Sequence, residues 1–194
     1  MTFSKTFLPL MIAFLFVCAD TPNKKYVISA NTAATIMGTS NLHNWKETVG
    51  LISGEGMVEW NADGSFNLNA MSIKMGVYSI KSTEGRIMNN NTYKALNADN
   101  HPDITLVLAA PIRSVPAGAH KVTAKVNLSI AGVTKLVDIS AVSATQGKGV
   151  IIFEGSKAIR MTDFGIRPPV ALLGALKTGD EITIQFKAVL TATN

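Results

Sequence analysis

The sequence is poor in the residues on which most enzyme chemistry depends. Its 194 residues contain one cysteine, Cys18, and three histidines, His43, His101 and His120. A single thiol cannot form an intramolecular disulfide, and it excludes a cysteine metal cage or a paired redox dithiol. None of the histidines stands in a His-x-x-x-His pair or beside a spaced carboxylate cluster, so they read as exposed or hydrogen-bonded loop residues. No Gly-x-Ser-x-Gly elbow and no phosphate-cradling Gly-Lys-Ser/Thr loop occurs. Glu55 and Glu59 are acidic residues on the outer face of a strand, the default place for a carboxylate. From these absences we expect no catalytic residue, no metal site and no resident cofactor.

Charge is also scarce, at 16% of residues, with 18 basic and 13 acidic side chains. There is no long Lys/Arg run, so nucleic-acid binding is not indicated. The mild basic excess still favours an anionic head group or a membrane surface. A long hydrophobic run is missing too. Phe7 to Val17 is apolar for eleven residues, too short to span a bilayer comfortably. Lys5 before it and Val17-Cys18-Ala19 after it complete the pattern of a secretory signal peptide, residues 1–19. The mature domain, 20–194, is then expected in the periplasm or outside the cell. The alternative makes Cys18 an acylated lipoprotein anchor, although Val17 is bulkier than the residue usual before such a cysteine.

What the chain has in quantity is alternation. Val122, Ala124, Val126, Leu128 and Ile130 share one face of a strand, with Lys121, Thr123, Lys125, Asn127 and Ser129 on the other. Ile182, Ile184, Phe186, Ala188 and Leu190 repeat the pattern, and Ile104, Leu106 and Leu108 do so more faintly. Phe66, Leu68 and Ala70 begin a series that Met71, Ile73, Met75 and Val77 continue out of phase, which predicts a bulge near Ala70. Turn signals separate the runs at 61–64, 131–134 and 146–149. Eight strands follow, near 25–37, 48–60, 65–80, 103–112, 119–131, 133–144, 149–161 and 180–192, joined mostly by antiparallel hairpins. Eight strands over about 170 residues exceed what an immunoglobulin-like sandwich needs, and closing them into a barrel removes the sheet edges. A flattened sandwich remains open on pattern alone.

Two segments interrupt the strands. Residues 84–97 predict a short helix capped by Ser82 or Thr83, with Met88, Thr92, Ala95 and Leu96 inward and the Asn89-Asn90-Asn91 run solvated. Residues 168–176, "PPVALLGAL", begin with prolines suited to a helix N-terminus and are apolar on nearly every side.

Several motifs resemble the YceI-like family of lipocalin-like proteins associated with polyisoprenoid binding. "LSIAGVTKLVDIS", 128–140, is similar to its Leu-Thr-Ile-x-Gly-Val-Thr-x-Pro-Val hairpin, with Leu136 in place of the proline. Arg86 falls where the family has Arg-Asp-x-His-Leu, and His101-Pro102 falls where it has Tyr-Pro. Between them Ile87 replaces the aspartate, Asn89 the histidine, and Ala95-Leu96-Asn97 a Phe-Phe-Asp. "MTDFGI", 161–166, resembles Arg-Ser-Asp-Phe-Gly with Met161 for the arginine, and "GTSNLHNW", 38–45, resembles a strand-to-loop motif of a divergent branch.

The resemblance implies an all-β fold, an extended eight-stranded antiparallel lipocalin-like barrel with one short helical lid. It implies an apolar cavity that takes a prenyl-type tail, with an isoprenoid quinone or another polyisoprenoid as the amphiphilic ligand. Trp45, Tyr93, Leu96, Ile104, Leu106, Phe164 and Leu172 are the expected lining, each equally readable as ordinary core. Arg86, Lys94 and His43 are the expected head-group contacts. An enzyme acting on a small hydrophobic substrate, and a stress-related protein-interaction module with a packed barrel, are the alternatives; a homodimer is a separate expectation.

Overall fold

The computed structural model describes residues 23–171 and 175–193. Residues 1–19, where a signal peptide is expected, with Cys18, and also Leu172, lie outside the described residues. The strands are β1 (Lys24–Ile28), β2 (Ala33–Ser40), β3 (Asn44–Val49), β4 (Ile52–Trp60), β5 (Phe66–Gly76), β6 (Ile80–Ser82), β7 (Asp103–Leu108) and β8 (Ile112–Val115). After these come β9 (His120–Ile130), β10 (Val133–Gln146), β11 (Val150–Arg160), β12 (Val170–Ala171) and β13 (Leu176–Ala192). One helix, α1 (Arg86–Ala95), lies between β6 and β7.

These segments form eight staves of a closed barrel. β13 pairs with β11 on one side, and on the other with β1 at its C-terminal end and β2 further back. β1 and β2 are therefore two halves of one stave, broken at Ser29–Thr32. The same logic joins β3 with β4, β5 with β6, and β7 with β8. With β9, β10, β11 and β13 this makes an antiparallel up-and-down meander whose last stave closes on its first. Closure satisfies the edge N–H and C=O groups that an open sheet would expose, except where β10 and β11 part beyond Ala141↔Gly155.

Local chemistry explains the details. Ala131 and Gly132 both take positive φ, 48° and 83°, as a two-residue hairpin between strands of natural twist requires. In the β4–β5 ladder Met57 pairs with Ala70 but Val58 pairs with Leu68, so Asn69 is the extra residue that resets the inward parity. The expected cap of α1 is corrected. Its N-cap is Gly85 at φ 88°, without a side-chain cap, and the Ser82 N–H instead donates to Asn89 Oδ1 at 2.8 Å. A helix from Pro168 is also corrected: Val170 and Ala171 form β12 against Leu176 and Lys177, since extended pairing satisfies backbone groups that two prolines had begun to space apart.

The core is divided. One end is solid, built on Tyr26, Val58, Phe66, Leu68, Ile151 and Leu190, all essentially inaccessible. There Phe66 stacks near Trp60 and Phe153 at centroid distances of 5.3 and 6.4 Å. Trp60 Nε1 donates to Tyr26 Oη at 2.8 Å, which in turn donates to the Lys148 carbonyl. A second cluster, including Val77, Ile80, Ile104, Met161 and Phe164, gathers at the end that carries α1.

Candidate functional site

Between these clusters the barrel is hollow. The space open to the centre of a water-sized sphere is about 250 Å³, against the roughly 10–15 Å³ that one water needs. A gap of that size is far beyond ordinary packing error in a well-packed interior. It arises from the sequence because inward positions near mid-barrel are small or flexible. Ala34, Met71, Met75, Ala124, Ala141 and Ala188 all line it, where longer branched side chains would have met.

The wall is almost wholly apolar. Thr32, Glu47, Asn91, Thr92, Lys157 and Thr178 are the polar side chains among its described lining residues, and only Glu47 and Lys157 can ionise. Glu47 is 2% exposed on β3, and Thr92 Oγ1 of α1 donates to its Oε1 at 2.6 Å. Burial pushes the Glu47 carboxyl above its ordinary value; the Thr92 hydrogen bond opposes this, and the nearby Glu84 charge adds to it. Sequence alone gives no sign of Glu47 as a cavity residue, beyond its place in the strict in–out alternation of Trp45, Glu47 and Val49. Lys157 was equally hidden, as a lysine on the inward parity of β11.

Trp45, Leu96, Ile104, Leu106 and Phe164 stand on the cavity wall. Gly38 makes room for Trp45: a Cβ at Gly38 would lie 2.2 Å from the indole ring. Tyr93 is a correction. Its ring packs edge-on against Tyr78 at 5.1 Å, and its hydroxyl donates to the Ile80 carbonyl at 2.9 Å while Lys81 approaches it. A phenol buried toward the cavity would forfeit that partner, so Tyr93 pins the lid and does not line the space. Leu172 lies outside the described residues.

The expected head-group contacts are not gathered at the cavity. His43 Nε2 meets Glu84 Oε1 at 2.9 Å on the outside of the barrel. Arg86 and Lys94 are exposed on α1, and none of the three lines the cavity. The helix faces inward through Met88, Asn91, Thr92, Ala95 and Leu96. Of the asparagine run only Asn90 is solvated; Asn89 hooks Ser82 and Asn91 reaches the wall. Among the described residues no three His, Cys, Asp or Glu side chains come together as a metal-holding group.

The geometry can be set beside known proteins. A family model described as YceI-like domain matches residues 26–190. No curated protein matches the sequence. Among solved structures, Burkholderia cenocepacia BcnA is 18% identical with a TM-score of 0.63, covering 82% of this chain and 96% of its own. A polyisoprenoid binding domain from Saccharophagus degradans, implicated in plant cell wall breakdown, is 12% identical with a TM-score of 0.64, covering 88% and 99%. The Campylobacter jejuni YceI protein is 18% identical with a TM-score of 0.59, covering 76% and 84%.

Proposed function

Because the chain belongs to the YceI-like family, we propose that it is a non-enzymatic carrier of a long amphiphilic lipid, an isoprenoid quinone or another polyisoprenoid, in the periplasm or outside the cell. The observation that carries this reading is the apolar cavity roofed by α1. The Saccharophagus relative named as a polyisoprenoid binding domain has the same fold and supports the ligand class.

The energetics need no reactive group. A buried methylene contributes about 0.8 kcal/mol at most, and drug-sized ligands realise about 0.3 kcal/mol per atom. A tail of some 20 carbons then yields on the order of 6 kcal/mol at the lower rate. Residues 1–19 would direct export, with Cys18 as an anchor if it is acylated.

The end that carries α1 suits loading from a membrane surface. Leu42, Ile87 and Val170 are 72%, 79% and 63% exposed. The turn bearing Leu42 is tied to the start of α1 by His43–Glu84, and to the β12–β13 hairpin by Asn41, which hydrogen-bonds Ala175 and Lys177. Exposed Lys46, Arg86, Arg167 and Lys177 come from the same segments. Apolar tips among cations match an anionic lipid interface.

Titration with prenyl alcohols of increasing length tests the carrier reading. Trp45 lines the cavity while Trp60 sits in the solid end, so a Trp45→Phe control isolates the responding fluorophore. Each added five-carbon unit should tighten binding about tenfold until the tail outgrows the cavity. Affinity indifferent to tail length, or no binding, contradicts the reading.

A further inference from the structure

β11 sends Ile151, Phe153, Lys157 and Ile159 to the interior, so a lysine occupies one inward position in an apolar series. Lys157 is half-buried and lines the cavity. Five other lysines, Lys25, Lys74, Lys125, Lys135 and Lys187, form ion pairs with surface carboxylates. Lys157 has no hydrogen-bond or ion-pair partner among the described residues. An ammonium turned toward an apolar space without a counter-ion is costly, and inward lysines are rare unless something pairs with them.

The wall beside it is unzipped. The β10–β11 ladder runs from Gln146↔Val150 to Ala141↔Gly155 and stops. Beyond that point the N-terminal half of β10 pairs only with β9, and residues 156–160 pair only with β13. The split begins at a crowded glycine. A Cβ on Gly155 would lie 2.5 Å from the Ser140 carbonyl oxygen and 2.8 Å from the Phe186 ring. The far end is spanned by Lys135 and Asp163 at 4.0 Å. Lys157 thus sits at a bounded slit, able to reach both the interior and water.

The other ionisable lining group does not serve as its counter-ion. Lys157, Ile184, Ile36 and Glu47 follow one another in register across four adjacent strands. Glu47 is therefore at the same level but three strands away, and it is engaged by Thr92.

We propose that the carried amphiphile has an anionic head group, a phosphate or a carboxylate, received by Lys157 at the slit between β10 and β11 while its tail fills the cavity. This rests on the carrier reading and selects among its ligands: a prenyl phosphate fits, and a neutral quinone leaves Lys157 unanswered. A charge-assisted contact in a partly dry site is worth about tenfold to a hundredfold in affinity.

The test compares geranylgeranyl phosphate with geranylgeraniol, and palmitate with hexadecanol, by calorimetry on the full chain and on its Lys157→Met and Lys157→Arg variants. The native chain should bind each anion at least tenfold more tightly than its neutral counterpart. Lys157→Met should erase that preference while leaving alcohol binding intact, which also shows that the variant is folded, and Lys157→Arg should keep it. A gain for both anions assigns an oxyanion in general, and a gain for the phosphate alone assigns a prenyl phosphate. Equal binding of anion and alcohol by the native chain overturns the head-group proposal and leaves the carrier reading standing. A preference that survives Lys157→Met overturns it as well. Failure of all four ligands to bind overturns the carrier reading itself.

Discussion

Replacing Glu47 with glutamine should remove a defined part of the pH dependence of stability. The carboxyl is buried under α1 and its folded-state pKa lies above the reference value of 4.5, chiefly from desolvation. An acid whose pKa is raised on folding binds its proton more tightly in the native state. The stability this gives is fully present below about pH 4.5 and is lost as pH rises through the folded value. A single group can change stability by no more than about 1.4 kcal/mol per pH unit. For a domain of this size that is a fall in Tm of about 3–5 °C per unit.

Other shifted groups act outside this window. Asp63, held low by hydrogen bonds from Ser65, and Asp180, held low by those from Thr162, lose their stabilisation only as pH falls below 3.8. Tyr78, raised by its hydrogen bond to Asp99, acts above pH 10. Thermal melts of both proteins from pH 4.5 to 8.5 should show the native chain falling relative to Glu47→Gln and then running level. Groups common to both proteins cancel in the difference. Parallel curves, or a native chain that gains on the variant, would refute a buried, proton-retaining Glu47.

Three further outcomes follow from the same geometry. Ala124→Phe places a ring in the cavity and should abolish retention of long prenyl alcohols while changing Tm by only a few degrees, read by titration and melting. Gly38→Val drives a side chain into Trp45 and should cost about 1–3 kcal/mol by overpacking, measured by urea unfolding. Thr92→Val leaves Glu47 without its donor and should loosen the lid, raising amide hydrogen exchange in α1 about tenfold or more with little change in the strands; Lys94→Ala, on the exposed face, should not.

The barrel was legible because period-two alternation records which face is covered, and inward Val126, Leu128 and Ile130 or Ala188 and Leu190 are buried as that pattern requires. The bulge was legible to within one residue, since a parity slip in β5 must appear in sequence wherever it is built. Breaks within a stave were not: Ser29–Thr32 interrupts one while keeping its neighbours, and interruption looks like weak alternation. The lid appeared as a polar segment, yet its anchorage depends on β6 just before it, through Asn89 and Tyr93, and on Glu47 far away in the chain, through Thr92. The ionisable residues of the cavity wall were the least legible. Arg86, Lys94 and His43 attract notice because they flank an unusual segment, whereas Lys157 and Glu47 look like ordinary alternating strand residues until the barrel closes.

The most direct test is the mass of the protein as isolated from its own host, measured first under native conditions and then denatured. A native mass that exceeds the denatured one by a long-chain amphiphile, released on unfolding, is the expected result. A native mass equal to that of the bare polypeptide, unchanged after incubation with long-chain isoprenoids, would contradict a hollow barrel that sheathes an oily chain.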